Sequence, residues 1–168
     1  MRYNKRMHEV VIFIAKYFII LSVLGALLCW LKLNTGDKKR FIVATLAGAI
    51  VAIALAKVGS MVFNNPRPFI AGHFTPYFAH GNDNGFPSDH TLFTGLVAAV
   101  VWWYNKKLGG LLFAIALAVG LARVIAGVHH VVDIAGSLVF AIIGGAIGKY
   151  AADTVFPYRK KSRFAEKK

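Results

Sequence analysis

The sequence predicts an all-α fold, a polytopic transmembrane bundle of about five and at most six helices. Three observations predict it. Hydrophobic residues make up 57% of the 168 and charged residues only 16%, with a mean hydropathy of +0.58, which is not the composition of an ordinary soluble domain. The apolar residues fall in five long runs. Lysine and arginine gather between those runs and at the tail, so the net charge of +13 points to anionic headgroups and away from nucleic acid. A single domain, 1–168, holds all five, because a helix rising roughly 1.5 Å per residue needs about 20 residues to cross a core about 30 Å thick.

The first run, Val10 to Leu31, is longer than a signal-peptide core and no small-residue cleavage site follows it, so it is expected to be retained. Lys16 interrupts it. Two accounts of that cation stand side by side: residues up to Lys16 form an interfacial amphipathic segment, or Lys16 snorkels to the headgroups. The second run is Phe41 to Phe63. The third and fourth, Thr91 to Tyr104 and Leu108 to Val128, reach spanning length when Pro87 to His90 belongs to the first and Arg123 to Val128 to the second; Pro87 suits a first helical turn. The fifth, Val131 to Ala152, is dense in Gly and Ala. Gly144 and Gly148 give it a G-x-x-x-G spacing, which reads either as close helix packing or as small residues filling a membrane helix. The sole cysteine, Cys29, lies inside an apolar run, so no disulfide framework or cysteine metal cluster is expected.

Residues 64–90 form the one long connection, rich in Asn, Gly and Pro, and connections of this length usually carry function. Phe69, Phe74, Tyr77, Phe78 and Phe86 within it read as a lid or as interfacial anchors. Five crossings put Lys32, Lys38, Lys39, Arg40, Lys106, Lys107 and the tail cations Arg159, Lys160, Lys161, Arg163, Lys167 and Lys168 on one side, which is then the cytoplasm. The long connection and the turn at His129 fall on the extracytoplasmic side. Arg2, Lys5 and Arg6 fall there too and argue weakly the other way.

Titratable groups at the edge of a hydrocarbon slab are expensive to keep, and three places carry them: Asn65-Pro66-Arg67-Pro68, Pro87-Ser88-Asp89-His90, and Arg123 to Asp133. His129 and Asp133 are four apart, so on a helix their side chains share a face. An aspartate that accepts the Nδ1 proton leaves Nε2 with a free lone pair, as a nucleophile toward phosphorus requires. His90, beside Ser88, suits the second proton-transfer role of protonating the departing oxygen and then activating water. Arg67 and Arg123 offer planar forks for phosphoryl oxygens, and Ser88 with nearby backbone N–H groups offers neutral donors. The scheme needs no metal and no cofactor. Each residue also has a plainer reading. An isolated boundary histidine is more often structural, and His8, His73 and His80 are read so, with His130 intermediate. Arg67 alone would bind headgroups, and Arg123 alone would snorkel. The conjunction at three places on one membrane face favours catalysis.

These motifs resemble the signatures of the type 2 phosphatidic acid phosphatase (PAP2) superfamily, K-x6-R-P, P-S-x-H and R-x5-H-x3-D. The second and third fit in type and spacing at Pro87 to His90 and at Arg123, His129 and Asp133. Of the first only Arg67-Pro68 fits, because the signature lysine falls at Ser60 and the nearest lysine is Lys57; Ala122 stands where the third signature usually begins with serine. The resemblance implies a PAP2/haloperoxidase-like helical core, usually of six helices. It implies His129 as nucleophile, Asp133 as its orienting partner, His90 as general acid and base, and Arg67, Ser88 and Arg123 as phosphate ligands, with Lys57 a further candidate. Within the superfamily, the strings Asn65 to Phe69, Phe86 to Thr91 and Gly127 to Asp133 look most like the bacitracin-resistance type of undecaprenyl-diphosphate phosphatase. That resemblance implies a lipid diphosphate substrate, a bacterial inner membrane, an extracytoplasmic site and no obligatory protein partner. Phosphatases of phosphatidylglycerol phosphate, phosphatidate or lipid A would use the same residues. Two readings of other classes are a non-enzymatic transporter, which needs polar groups spaced through the bilayer, and a zinc protein built on His90, His129, His130 and Asp133, which a chelator would inactivate.

Overall fold

Local chemistry starts and stops the helices of the computed structural model, which describes residues 5–157. There are six: α1 Lys5–Lys32, α2 Thr35–Val62, α3 Pro68–Ala71, α4 Asp89–Tyr104, α5 Lys106–Ile125 and α6 Val131–Val155. Asn34 caps α2 by accepting the Asp37 N–H at 2.9 Å. Asn105 closes α4 and opens α5, accepting the Leu108 N–H at 3.0 Å, so one residue reverses the chain. α5 stops at Ile125 because Gly127 takes φ +78°, a left-handed conformation that suits glycine.

α4 is the axis of the bundle and packs against α1, α2, α5 and α6. Thr91, Leu92 and Thr94 to Val101 are all buried on it. Around it α2 lies against α6 and α1 against α5. The α2–α6 contact is backbone on backbone: Gly144 and Gly148 face Ala44, Gly48 and Ala52, and a Cβ on Gly144 would lie 2.6 Å from the Gly48 carbonyl oxygen. The G-x-x-x-G spacing is therefore a packing device. Large apolar side chains cover the outside, with Leu46, Ile50, Ile53 and Val58 of α2 each more than half exposed, as expected where lipid is the solvent. By length and composition, α1, α2, α5 and α6 can each cross a bilayer. α4, at 16 residues, spans only about 24 Å and is sheathed by the other helices.

Three features correct the sequence reading. Pro87 precedes α4 and does not form its first turn, because Ser88 is an extended N-cap with φ −78° and ψ 113°. Arg123 belongs to the last turn of α5, whereas Ala126 to Val128 have left the helix. Among the described residues no separate segment precedes Lys16: α1 runs unbroken from Lys5 through it, and the Lys16 Nζ sits 4.8 Å over the Phe78 ring.

The long connection is pinned by its aromatic residues. Phe69, Tyr77 and Phe78 pack with Val11, Ala15, Ala122, Ala126 and Val128, while Phe86 meets Phe63 at 5.0 Å and Phe140 at 5.9 Å edge-on. His8 stacks on Tyr77 at 3.5 Å. At the other end Arg40 Nε donates to the Phe156 carbonyl at 2.6 Å, and Lys149 pairs with Asp153. The helix order thus gathers Lys32, Lys38, Lys39, Arg40, Lys106 and Lys107 at the end opposite the long connection. Arg2 and the tail cations Arg159, Lys160, Lys161, Arg163, Lys167 and Lys168 lie outside the described residues.

Candidate active site

His129 is buried in the short link between α5 and α6. Its Nδ1 lies 2.9 Å from the Gly85 carbonyl oxygen and 3.3 Å from Asp133 Oδ2. A carbonyl can only accept, so Nδ1 carries the proton and Nε2 keeps its lone pair. Arg67 Nη1 donates toward that Nε2 at 3.3 Å. Burial holds the His129 pKa below its ordinary value; the bond to Asp133 opposes this, and the charges of Arg123 and Arg67 add to it.

Asp133 is in the first turn of α6, and its three donors come from the α5–α6 link and from the long connection. Oδ2 accepts the N–H of His130, the N-cap, at 2.8 Å, and Oδ1 accepts Asn65 Nδ2 at 2.7 Å. His129 lies one residue before that cap. The two side chains meet through a helix-capping geometry and not, as spacing predicts, along a helix face. His130 itself donates from Nε2 to the Pro66 carbonyl at 3.2 Å, which ties the cap to the Asn65–Pro68 turn.

Arg67, the N-cap of α3, is buried, with Nε and Nη1 held by the protein and Nη2 making one long contact, 3.5 Å, to the Asn84 carbonyl. Nε donates to Asp83 Oδ1 at 3.0 Å and Nη1 to the Val128 carbonyl at 2.9 Å, besides its contact with His129. The hydrogen bond from Arg67 draws the Asp83 carboxyl pKa down against the effect of burial. Asn84 clips the connection shut: its Oδ1 accepts the N–H groups of Asn65 and Phe86, and its Nδ2 donates to the carbonyls of Ser60 and Phe63.

Arg123 reaches the same place from α5. Its Nη2 donates to His80 Nε2 at 2.8 Å, its guanidinium lies 5.8 Å from the Phe78 ring centre, and His80 meets the His129 ring edge-on at 5.9 Å. His80, read from the sequence as a structural histidine, thus lies against two of the candidate site residues. Burial, then the charges of Arg67, Arg123 and His129, lower its pKa. Ser88 is fully buried; its Oγ accepts from Thr91 Oγ1 at 3.2 Å and its carbonyl accepts from Ser137 Oγ at 2.9 Å, which fastens the start of α4 to α6. His90, in the first turn of α4, lies within electrostatic range of Arg123, His129 and His80. Lys57 stands apart on the exposed side of α2, lining a cleft of about 430 Å3 with Ser60, Arg67, Asp83 and Asp89. Asn65 opens the Asn65–Pro68 string but is given no role by it, and His80, Asn84 and Gly85 carry no motif. Their only signal is the concentration of polar residues in an aperiodic loop.

The assembly sets two buried guanidiniums around a neutral imidazole whose nucleophilic nitrogen faces one of them. Such a place attracts an anion and can attack it. Among the described residues, no three His, Cys, Asp or Glu side chains gather to hold a metal ion.

A sequence profile of the PAP2 superfamily matches residues 40–156. The undecaprenyl-diphosphatase BcrC of Bacillus subtilis (strain 168) is 32% identical over 156 residues, covering 93% of this chain and 80% of that protein. The bacitracin transport permease protein BcrC of Bacillus licheniformis is 31% identical, covering 82% and 68%. Two crystal structures share the fold: LpxE of Aquifex aeolicus, with a TM-score of 0.64 at 23% identity over 88% of this chain and 87% of the other, and a transmembrane PAP2-type phosphatidylglycerolphosphate phosphatase of Bacillus subtilis, with 0.63 at 21% over 94% and 82%. Profile, relatives and fold agree with the apolar helical bundle, and this chain belongs to the PAP2 superfamily as an integral-membrane member.

Proposed function

We propose that the protein removes the terminal phosphate of undecaprenyl diphosphate through a phosphohistidine at His129, on the extracytoplasmic face of a bacterial plasma membrane. The observation that carries this reading is the approach of Arg67 Nη1 to within 3.3 Å of an His129 Nε2 whose lone pair is fixed by the Gly85 carbonyl. Nε2 attacks the terminal phosphorus while Arg67, Arg123 and Ser88 bind its oxygens. The bond from phosphorus to the bridging oxygen breaks, and His90 gives that oxygen a proton as the lipid monophosphate leaves. Water then attacks the phosphohistidine, His90 takes back a proton, and inorganic phosphate departs with Nε2 restored. Asp133 holds the imidazole throughout and stabilises the charge it acquires. No metal takes part.

The similarity to the undecaprenyl-diphosphatase of Bacillus subtilis supports the substrate. Supporting the face is the gathering of Lys32, Lys38, Lys39, Arg40, Lys106 and Lys107 away from the site, since cations mark the cytoplasmic side. In this reading 1–168 is one phosphatase unit and residues 64–90 are its extracytoplasmic loop. The cleft beside Arg67, where Lys57 meets apolar Ile53, Ala56 and Phe86, suits a molecule with an anionic head and an apolar tail. Phosphate release from purified undecaprenyl diphosphate, phosphatidylglycerol phosphate, phosphatidate and lipid A, all in EDTA, is the test. Fastest turnover of undecaprenyl diphosphate is expected. Preference for another lipid would rename the substrate, inactivity on all would overturn the phosphatase reading, and dependence on added metal would overturn the metal-free step.

A further inference from the structure

The contact between Arg123 and His80 leaves two buried donors without an acceptor. Arg123 Nη2 is spent on His80 Nε2 at 2.8 Å. Because that nitrogen accepts, the proton of the neutral ring is on Nδ1. Among the described residues, His80 Nδ1 is buried with no partner, and so is Arg123 Nε. Buried donors are normally matched, and two mismatches on one contact, edge-on to His129, call for an explanation.

The neighbouring acceptors are committed elsewhere. Asp83 faces Arg67 Nε; Asp133 takes Asn65, His130 and His129; the Gly85 carbonyl takes His129 Nδ1. A tetrahedral oxyanion is the kind of ligand that could serve both donors, since it brings several acceptor oxygens to one point. We propose that His80 is a ligand of the transferred phosphoryl group: it occupies Arg123 Nη2 until a phosphoryl oxygen takes that N–H, and then donates its own N–H to the same group. The proposal rests on the phosphoryl-transfer reading of the site and deepens it by adding a neutral donor to the two guanidiniums. Burial, with Arg67, Arg123, His129 and His90 around the ring and only Asp83 opposing them, keeps His80 uncharged, and only an uncharged imidazole can accept from Arg123.

The test is binding of orthovanadate and of inorganic phosphate to the purified full chain, measured by calorimetry in detergent, with KM and kcat on the lipid substrate alongside. His80→Phe keeps an aromatic ring against His129 and loses both nitrogens; His80→Gln keeps an acceptor for Arg123 and an N–H for the anion. His80→Phe is expected to weaken orthovanadate binding by about tenfold or more and to lower kcat/KM on the lipid substrate in parallel. His80→Gln should recover most of the loss. If the phenylalanine variant does not fold, His80→Ala makes the same comparison. Unchanged or tighter anion binding by His80→Phe or His80→Ala, or an equal loss in His80→Gln, would overturn the role. Orthovanadate binding needs no turnover, so that failure is distinct from inactivity on lipid phosphates, which overturns the phosphatase reading alone.

Discussion

Asn65 donates from Nδ2 to Asp133 Oδ1 at 2.7 Å, joining the turn before Arg67 to the first turn of α6 across 68 residues of chain. Asp133 is thereby held by a side chain, a backbone N–H and the His129 imidazole at once, and cannot rotate without losing one of them. Asn65→Ala strands a buried carboxylate oxygen and frees the carboxylate to turn off Nδ1. We expect kcat to fall by about tenfold to a hundredfold with KM little changed, because the loss is in orientation and not in phosphate binding. Steady-state kinetics on the preferred lipid phosphate would decide it; a rise in KM at constant kcat would mean Asn65 acts on the substrate side instead.

Gly85 contributes a carbonyl to the site and has no room for a side chain. A Cβ there would sit 3.0 Å from the Asn65 carbonyl oxygen and 3.1 Å from Asp133 Oδ2, both within the network that fixes His129. Gly85→Ala should cut kcat by about tenfold or more while the helical circular dichroism stays that of wild type. Gly110→Ala, on α5, is the control, since its Cβ meets only the Trp102 ring at 3.5 Å. Equal activities in the two variants would show that the Gly85 carbonyl does not hold the imidazole.

The neutral form of His129 is the nucleophilic one, and burial lowers its pKa below the ordinary imidazole value of about 6.5. A lowered value keeps the neutral fraction high as pH falls, and activity is lost only when pH passes below the folded-state pKa. The acid limb of kcat/KM is therefore expected below about 6.5. Nuclear magnetic resonance of histidine-labelled protein should find His129 and His80 titrating below that value too. An imidazole at 129 titrating above it would contradict the environment described here.

Much of this arrangement is legible in the sequence, for a physical reason. Arg67, Ser88, His90, Arg123, His129 and Asp133 are conspicuous because polar groups at the ends of apolar runs are costly, so each one stands out against a uniform background. Loop 64–90 offers no such contrast. It has no period, so nothing in the pattern says which of Asn64, Asn65, Asn82, Asp83 and Asn84 turn inward; that depends on Asn84 closing the loop onto the end of α2. His80 has no contrast in sequence for the same reason. Spacing of four did predict the meeting of His129 with Asp133, but by the wrong geometry, since a cap and not a helix face brings them together. Nearness in sequence to the missing signature lysine is all that singles out Lys57, and the fold places it in the flanking cleft.

Packing far from the chemistry should also be felt at the site. On α6, Gly144 touches α2 so closely that a Cβ would lie 2.6 Å from the Gly48 carbonyl oxygen and 2.9 Å from Ala52 Cβ, and backbone cannot swing aside as a side chain can. Gly144→Ala must push the helices apart, at a cost of about 1–3 kcal/mol. Gly110→Ala, on α5, meets only the Trp102 ring at 3.5 Å and gains helix propensity of up to about 1 kcal/mol. Thermal melts in detergent should therefore shift in opposite directions, down for the first and level or up for the second. Because α6 also presents Asp133 to the loop anchored at the end of α2, Gly144→Ala should lower kcat as well, whereas Gly110→Ala should not. If both variants melted alike, the α2–α6 contact would not be the tight joint that sets the spacing of the site.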